Sequence, residues 1–195
     1  MSARIPVCEP YFWGNEKRYV NEALDGGWIS SSGSFLGRFE QGFADYCGAR
    51  HGVAVANGTV ALHLALLAAG VGPGDEVITG DFTMFSPVLA IVQAGARPVF
   101  VDACPRTWTM DPAQVEARIT PRTRAILAVH VYGHPCDMDA LADIARRHGL
   151  RLIEDAAEAH GATVRGRRCG SLAELACFSF YANKIITTGE GGMVL

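Results

Sequence analysis

Lysine is nearly missing from this chain: of its 17 basic residues only Lys17 and Lys184 are lysines. Where guanidinium is so favoured, a retained amine points to chemistry that an arginine cannot perform. Long apolar runs are missing too. None reaches the roughly 20 residues that span a bilayer, and Met1 to Pro10 carries no unbroken hydrophobic segment of the secretory kind. The six cysteines are scattered with no C-x-x-C pair, which excludes a disulfide scaffold and leaves reduced thiols in a cytoplasmic protein as the expectation. Basic excess is absent, since the formal net charge is -3, so no field invites nucleic acid or an anionic membrane. No G-x-G-x-x-G and no Walker A sequence occurs, which argues against dinucleotide and P-loop folds. There is also no repeat, low-complexity tract or charge block to mark a linker.

What remains is a globular composition, 49% hydrophobic and 19% charged. Residues 1–51 read as an N-terminal helical segment. Asn15 to Leu24 forms a helix stopped by Gly26-Gly27, Trp28 to Gly33 a loop, and Ser34 caps a second helix with a stripe of Phe35, Phe39, Phe43 and Tyr46. Residues 52–195 alternate strand and helix. Strands are predicted at Val53–Ala56, Glu76–Thr79, Pro98–Val101, Ala125–Val131, Arg151–Ile153 and Ala176–Phe180. Helices are predicted at Thr59–Ala69, Ser86–Gln93, from Asp111-Pro112 to Ile119, and from Asp137 to His148. Apolar strands between helices, without polar alternation, indicate an α/β domain whose mostly parallel sheet has helices on both faces. Ligands of such a sheet sit outside the C-terminal strand ends. The closing Met193-Val194-Leu195 reads as a strand cut short, so the expectation is a fragment with its last strand incompletely paired and prone to associate.

Three features carry chemistry. Asn57-Gly58-Thr59 joins a strand to a helix, where free N–H groups and the helix dipole suit a phosphate; the plainer reading is a helix cap and a turn. Asp155 ends a strand and faces the expected crevice, or caps the residues after it; Glu158, three residues on, shares its face or completes a capping box. Lys184 lies in a loop among Phe178, Phe180, Tyr181, Ile185 and Ile186, apolar flanks that would desolvate the ammonium and favour a nucleophilic amine. His130, His134, Cys136 and Asp137 lack the ligand spacing of a zinc site, and no metal is expected.

Taken together, these elements resemble the DegT/DnrJ/EryC1/StrS sugar aminotransferases, pyridoxal 5'-phosphate enzymes of fold type I. The resemblance runs from Pro6 to Leu195. It is carried by Gly27-Trp28-Ile29-Ser30, Asn57 to Leu62, Gly74 to Ile78, Gly133 to Met138, Ile153 to Gly161, and Phe178-Ser179-Phe180 through Asn183-Lys184 to Gly192. It implies a fold type I large domain, here truncated, with the C-terminal small domain absent. Lys184 corresponds to the lysine that bonds the cofactor and moves a proton, and Asp155 to the carboxylate that keeps the pyridine nitrogen protonated. Gly58, Thr59 and Ser179 correspond to phosphate-binding positions, and Met84 to the residue stacked on the ring, where many relatives carry an aromatic. Glu158 stands near the cofactor's hydroxyl where many carry glutamine.

Within the group, Trp28-Ile29-Ser30, the Gly133–Met138 stretch and Glu158 look like the perosamine-type enzymes. The resemblance then implies a homodimer that moves the amino group of L-glutamate onto a nucleotide-linked 4-keto-6-deoxy sugar for polysaccharide biosynthesis. The alternative is a cofactor-binding regulatory or sensor protein of the same family.

Overall fold

The computed structural model describes residues 5–6 and 8–195. Two helices come first, α1 (Glu16–Asp25) and α2 (Ser34–Cys47). The N-cap of α2 is Gly33 rather than Ser34, which is already helical and whose hydroxyl caps nothing. The strand–helix alternation then runs β1 (Val53–Val55), α3 (Gly58–Ala68), β2 (Glu76–Gly80), α4 (Phe85–Gln93), β3 (Arg97–Val101), α5 (Pro112–Val115), β4 (Thr123–Val129), α6 (Met138–His148) and β5 (Arg151–Asp155). After it come a two-residue hairpin, β6 (Thr163–Val164) with β7 (Arg167–Arg168), and the strands β8 (Leu175–Ser179) and β9 (Gly192–Val194).

Most boundaries fall within a residue or two of the sequence pattern. The predicted strand to Val131 stops at Val129, because the chain turns at Val131–Gly133 with Tyr132 left-handed at φ 51°. Asp111 caps α5 through the Ala113 N–H at 3.1 Å, but the α-helix ends at Val115 and continues as one 3₁₀ turn, Glu116–Arg118.

Seven strands form one sheet in the order β1-β9-β8-β5-β4-β2-β3. Every neighbouring pair is parallel except the two made by β9. Successive residues of β4 go to opposite faces, as a strand buried on both sides requires. Ala125 and Leu127 join Leu62, Leu66 and Ile91 of α3 and α4 on one face. Ile126 and Ala128 join Phe43 of α2 and Leu141 and Ile144 of α6 on the other. Phe43 packs edge-on to Phe178 and Phe180, with ring centroids 4.8 and 5.1 Å away. His160 completes this aromatic box; its two ring nitrogens find no hydrogen-bond partner among the described residues, and burial holds the imidazole neutral down to about 4.

The incompletely paired last strand expected from the sequence is not what the fold shows. β9 lies between β1 and β8, hydrogen-bonded to both, and Met193 is fully buried. The edge strand on this side is β1, and β3 is the other edge; at β1 Glu40 of α2 accepts the Ala54 N–H at 2.8 Å and blunts it as a pairing template. β9 passes so close to the start of α3 that a Cβ on Gly192 would overlap the Asn57 carbonyl group. Gly192→Ala should therefore cost about 1–3 kcal/mol and lower the melting temperature by several degrees in a circular-dichroism melt. An unchanged melt would contradict this close approach.

Candidate active site

The C-terminal ends of the parallel strands open onto a cavity of about 520 Å³. All seven residues singled out from the sequence line it: Gly58, Thr59, Met84, Asp155, Glu158, Ser179 and Lys184. Lys17 does not; it lies exposed in the first turn of α1.

One wall is the N-terminus of α3. The Asn57 side chain accepts the Val60 N–H at 3.0 Å, so Asn57 does cap the helix. The capping leaves the first two amides, Gly58 and Thr59, without intrahelical acceptors, where they form the positive end of the dipole and point out of the helix. Ser179, at the end of β8, presses against this turn. A Cβ on Gly58 would stand 2.8 Å from the Ser179 Cβ, so only glycine fits there. Across the mouth Met84, the N-cap residue of α4, is 64% exposed and available to pack on a planar group.

The floor is the end of β5, where two adjacent carboxylates differ completely in their surroundings. Glu154 points into the core and is fully saturated. It accepts N–H groups from Leu172 at 2.7 Å, Ala173 at 2.8 Å and Gly170 at 2.9 Å, and lies 3.2 Å from His130 Nε2. The Cys136 N–H donates to His130 Nδ1, which fixes the ring as the Nε2–H tautomer donating to Glu154. Sequence reasoning passed over this arrangement. The signal was there: Leu152 faces the core, and Glu154, two residues on, shares that face, where a charge needs partners. The ligand-capable atoms of His130, Glu154 and Cys169 lie within 4.8 Å of one another, but four hydrogen bonds already occupy the carboxylate. Cys136 and Asp137 are likewise engaged in local structure, Asp137 capping α6 through the Ala140 N–H.

Asp155 is buried but faces the cavity, with one hydrogen bond, from the Ala157 N–H at 3.0 Å. The cap and the crevice-facing group are thus the same carboxylate. Burial pushes its carboxyl up to about 6, opposed chiefly by the Ala157 N–H and also by Lys184, with Glu158 adding to the rise. No capping box forms with Glu158, because residues 156–161 turn and never become helical. Instead one Glu158 oxygen accepts the Tyr132 N–H at 2.8 Å and the other accepts Lys184 Nζ at 3.1 Å.

Lys184 hangs from the loop between β8 and β9, in a turn closed by its own N–H to the Tyr181 carbonyl at 2.9 Å. Its apolar flanks do not enclose it as expected: Tyr181, Ile185 and Ile186 are exposed, and only Phe178 and Phe180 are buried. Its near neighbour is the carboxylate of Glu158. The ammonium is held by charge pairing, on a side chain that is only 14% exposed.

A carboxyl raised by folding favours the folded state below its unfolded value, near 3.8, and that contribution is lost as pH rises through about 6. Ionised Asp155 then costs the folded state up to about 3 kcal/mol. Asp155→Asn, which keeps the acceptor for Ala157, should raise the melting temperature of the cofactor-free protein by several degrees at pH 8 and hardly at all at pH 3.5. Calorimetry at the two pH values checks this; no gain at pH 8 would contradict the burial cost.

The sequence profile of the DegT/DnrJ/EryC1/StrS aminotransferase family matches residues 12–195. The chain is 57% identical over 191 residues to the GDP-perosamine synthase of Caulobacter vibrioides, an alignment covering 98% of this chain and 52% of that protein. The solved structure of 3-amino-5-hydroxybenzoic acid synthase superposes with a TM-score of 0.92 at 44% identity, over 98% of this chain and 50% of that one. The putative sugar aminotransferase Spr1654 from Streptococcus pneumoniae, in its PLP form, gives 0.94 at 32% identity, over 98% and 53%. The chain thus spans about half the length of the curated relatives it matches. With a profile match over most of its length and these relatives in agreement, the chain belongs to the DegT/DnrJ/EryC1/StrS aminotransferase family.

Proposed function

We propose that the protein binds pyridoxal 5'-phosphate in this cavity and transfers the amino group of L-glutamate to a nucleotide-linked 4-keto-6-deoxy sugar, with the GDP-linked sugar preferred. The observation that carries the reading is convergence. Two free helix amides, a buried carboxylate and the one cavity-lining lysine meet around a single space. The residues present fit the cofactor. The Gly58 and Thr59 amides with the Ser179 and Thr59 hydroxyls suit a phosphate dianion, and the close packing of Gly58 on Ser179 holds them in place. Asp155, raised to about 6, is a strong partner for a protonated ring nitrogen, which would draw it back toward the ordinary carboxylate range. When bound, the cofactor supplies an electron sink for carbanionic charge.

The remaining chemistry belongs to this chain's side chains. The Lys184 amine would form the covalent attachment and, once free, could take a proton from the substrate carbon and return it elsewhere. Asp155 would keep the ring nitrogen protonated, Met84 would pack its thioether on the ring, and Glu158, paired with Lys184 Nζ, would stand near the cofactor's hydroxyl. The sugar assignment rests on the likeness of Trp28-Ile29-Ser30, Gly133–Met138 and Glu158 to perosamine-type enzymes. The relatives at 57%, 49% and 47% identity that are GDP-perosamine synthases support it.

Exposed Val60, Leu64, Leu67, Phe85 and Val92 on α3 and α4 support a homodimer that covers them. No helix among the described residues is long and apolar enough to cross a membrane. The free cysteines support a cytoplasmic setting.

Borohydride reduction of the cofactor-loaded full-length protein, followed by peptide mapping, should place the adduct on Lys184; an adduct on Lys17 would refute the assignment. Lys184→Arg keeps the charge but is a poor nucleophile, and should lower turnover by about 10²–10⁴-fold or more. GDP-, UDP- and dTDP-linked 4-keto sugars, offered in parallel with L-glutamate, should give most amine from the GDP sugar by mass spectrometry. A preference for another nucleotide would discard the substrate but keep the transamination. Failure of glutamate to convert the cofactor at all would favour a binding or sensing protein.

A further inference from the structure

Glu158 makes two contacts at once, and they constrain each other. Its Oε2 accepts the Tyr132 N–H at 2.8 Å, and its Oε1 accepts Lys184 Nζ at 3.1 Å. The turn it grips is unusual. Tyr132 is left-handed at φ 51° and ψ 27°, a conformation that costs a non-glycine residue about 1 kcal/mol or more. Gly133 follows at φ 80°, where an added Cβ would stand 2.8 Å from the Glu158 backbone carbonyl. The Tyr132 ring is 84% exposed, so burial of the ring offsets little of this cost. The strained turn is therefore held against residue 158 by main-chain packing and by the carboxylate. One oxygen is thus tied to the main chain while the other holds Lys184 Nζ.

We propose that Glu158 is a positioning residue that holds Lys184 as an ammonium whenever its nitrogen is not bonded to an aldehyde, and so sets the pH at which the lysine captures one. This rests on the cofactor reading above and adds to it a role for Glu158 toward this chain's own lysine. In the capture step the ammonium first gives its proton to solvent; the amine then adds to the aldehyde carbon, and one C=N bond forms as one water leaves. No electrons are transferred. The pinned carboxylate opposes the first part, because deprotonation dissolves the ion pair. The same carboxylate favours recovery of the ammonium after each release, which keeps the lysine in place for the next capture.

Other charged and titratable groups near Lys184 do not duplicate this pairing. Asp155 acts on it through space but directs its carboxylate to the Ala157 N–H. His160 is neutral inside its aromatic box. Glu190 and Tyr181 line the cavity, but neither side chain has a hydrogen bond to the lysine.

Two variants separate charge from anchoring in the full-length protein. Glu158→Gln keeps an acceptor for Tyr132 and removes the charge; Glu158→Ala removes both. The probe is pyridoxal 5'-phosphate itself, with capture followed by absorbance across a pH series without substrate, and with borohydride mapping and thermal melts alongside. In Glu158→Gln, half-maximal capture should move to lower pH by about half to one unit with an unchanged melt. That is about a three- to tenfold gain in capture at a fixed pH on the rising limb. Glu158→Ala should show the same shift with a lower melting temperature. A Gln variant that captures with the original pH profile overturns the role given to Glu158. No adduct on Lys184 in the unsubstituted protein overturns the cofactor reading and this inference with it, so the two failures are told apart.

Discussion

The site depends on one steric constraint: three stretches of backbone cross where no side chain fits. Gly58 opens α3 against Ser179 at the end of β8, and Gly192 of β9 lies against the Asn57 carbonyl on the other side. Because β8 and β9 are joined by the loop that carries Lys184, the same packing that fixes the amide cradle also fixes both ends of the lysine loop. The loop is tied further where the Thr188 N–H and the Thr187 hydroxyl both reach the Phe180 carbonyl, at 3.0 Å each. Cradle and lysine are therefore not independent features. Pre-organisation of this kind is what a site must supply if binding energy is to be used for positioning.

The end of β5 shows how one strand divides stability and function between neighbouring residues. Glu154 and Asp155 are both buried, yet the alternation of the strand sends one into the core and the other into the cavity. The core carboxylate collects every partner it can use and ties β5 to β4 and to the segment 170–173. The cavity carboxylate is left with a single donor and a costly charge. A buried charge that the fold does not neutralise is a place where a cation is awaited.

Much of this was legible in the sequence, for identifiable reasons. Hydrophobic runs separated by helical stretches specify a covered parallel sheet, and that placed Asp155 and Asn57-Gly58-Thr59 at the correct end of it. The scarcity of lysine drew attention to Lys184 before any likeness to a family. What the sequence concealed is long-range or conformational. Periodicity carries no strand direction, so the antiparallel insertion of β9 between β1 and β8 could not be read from Met193-Val194-Leu195. The left-handed backbone of Tyr132 has no compositional signature. The partners of Glu154 lie 16 to 24 residues away in the chain. Neighbours in sequence are not all neighbours in space around Lys184: Ile185 and Ile186 are exposed, while Glu158, 26 residues earlier, pairs with the amine.

The central claim is that this cavity holds pyridoxal 5'-phosphate with its ring nitrogen on Asp155. The most direct measurement is the nitrogen-15 resonance of ring-labelled cofactor bound to the full-length protein at pH 8. The account predicts the chemical shift of a protonated pyridinium, lost in Asp155→Asn. A bound cofactor whose ring nitrogen resonates as the free base in the unsubstituted protein would contradict it.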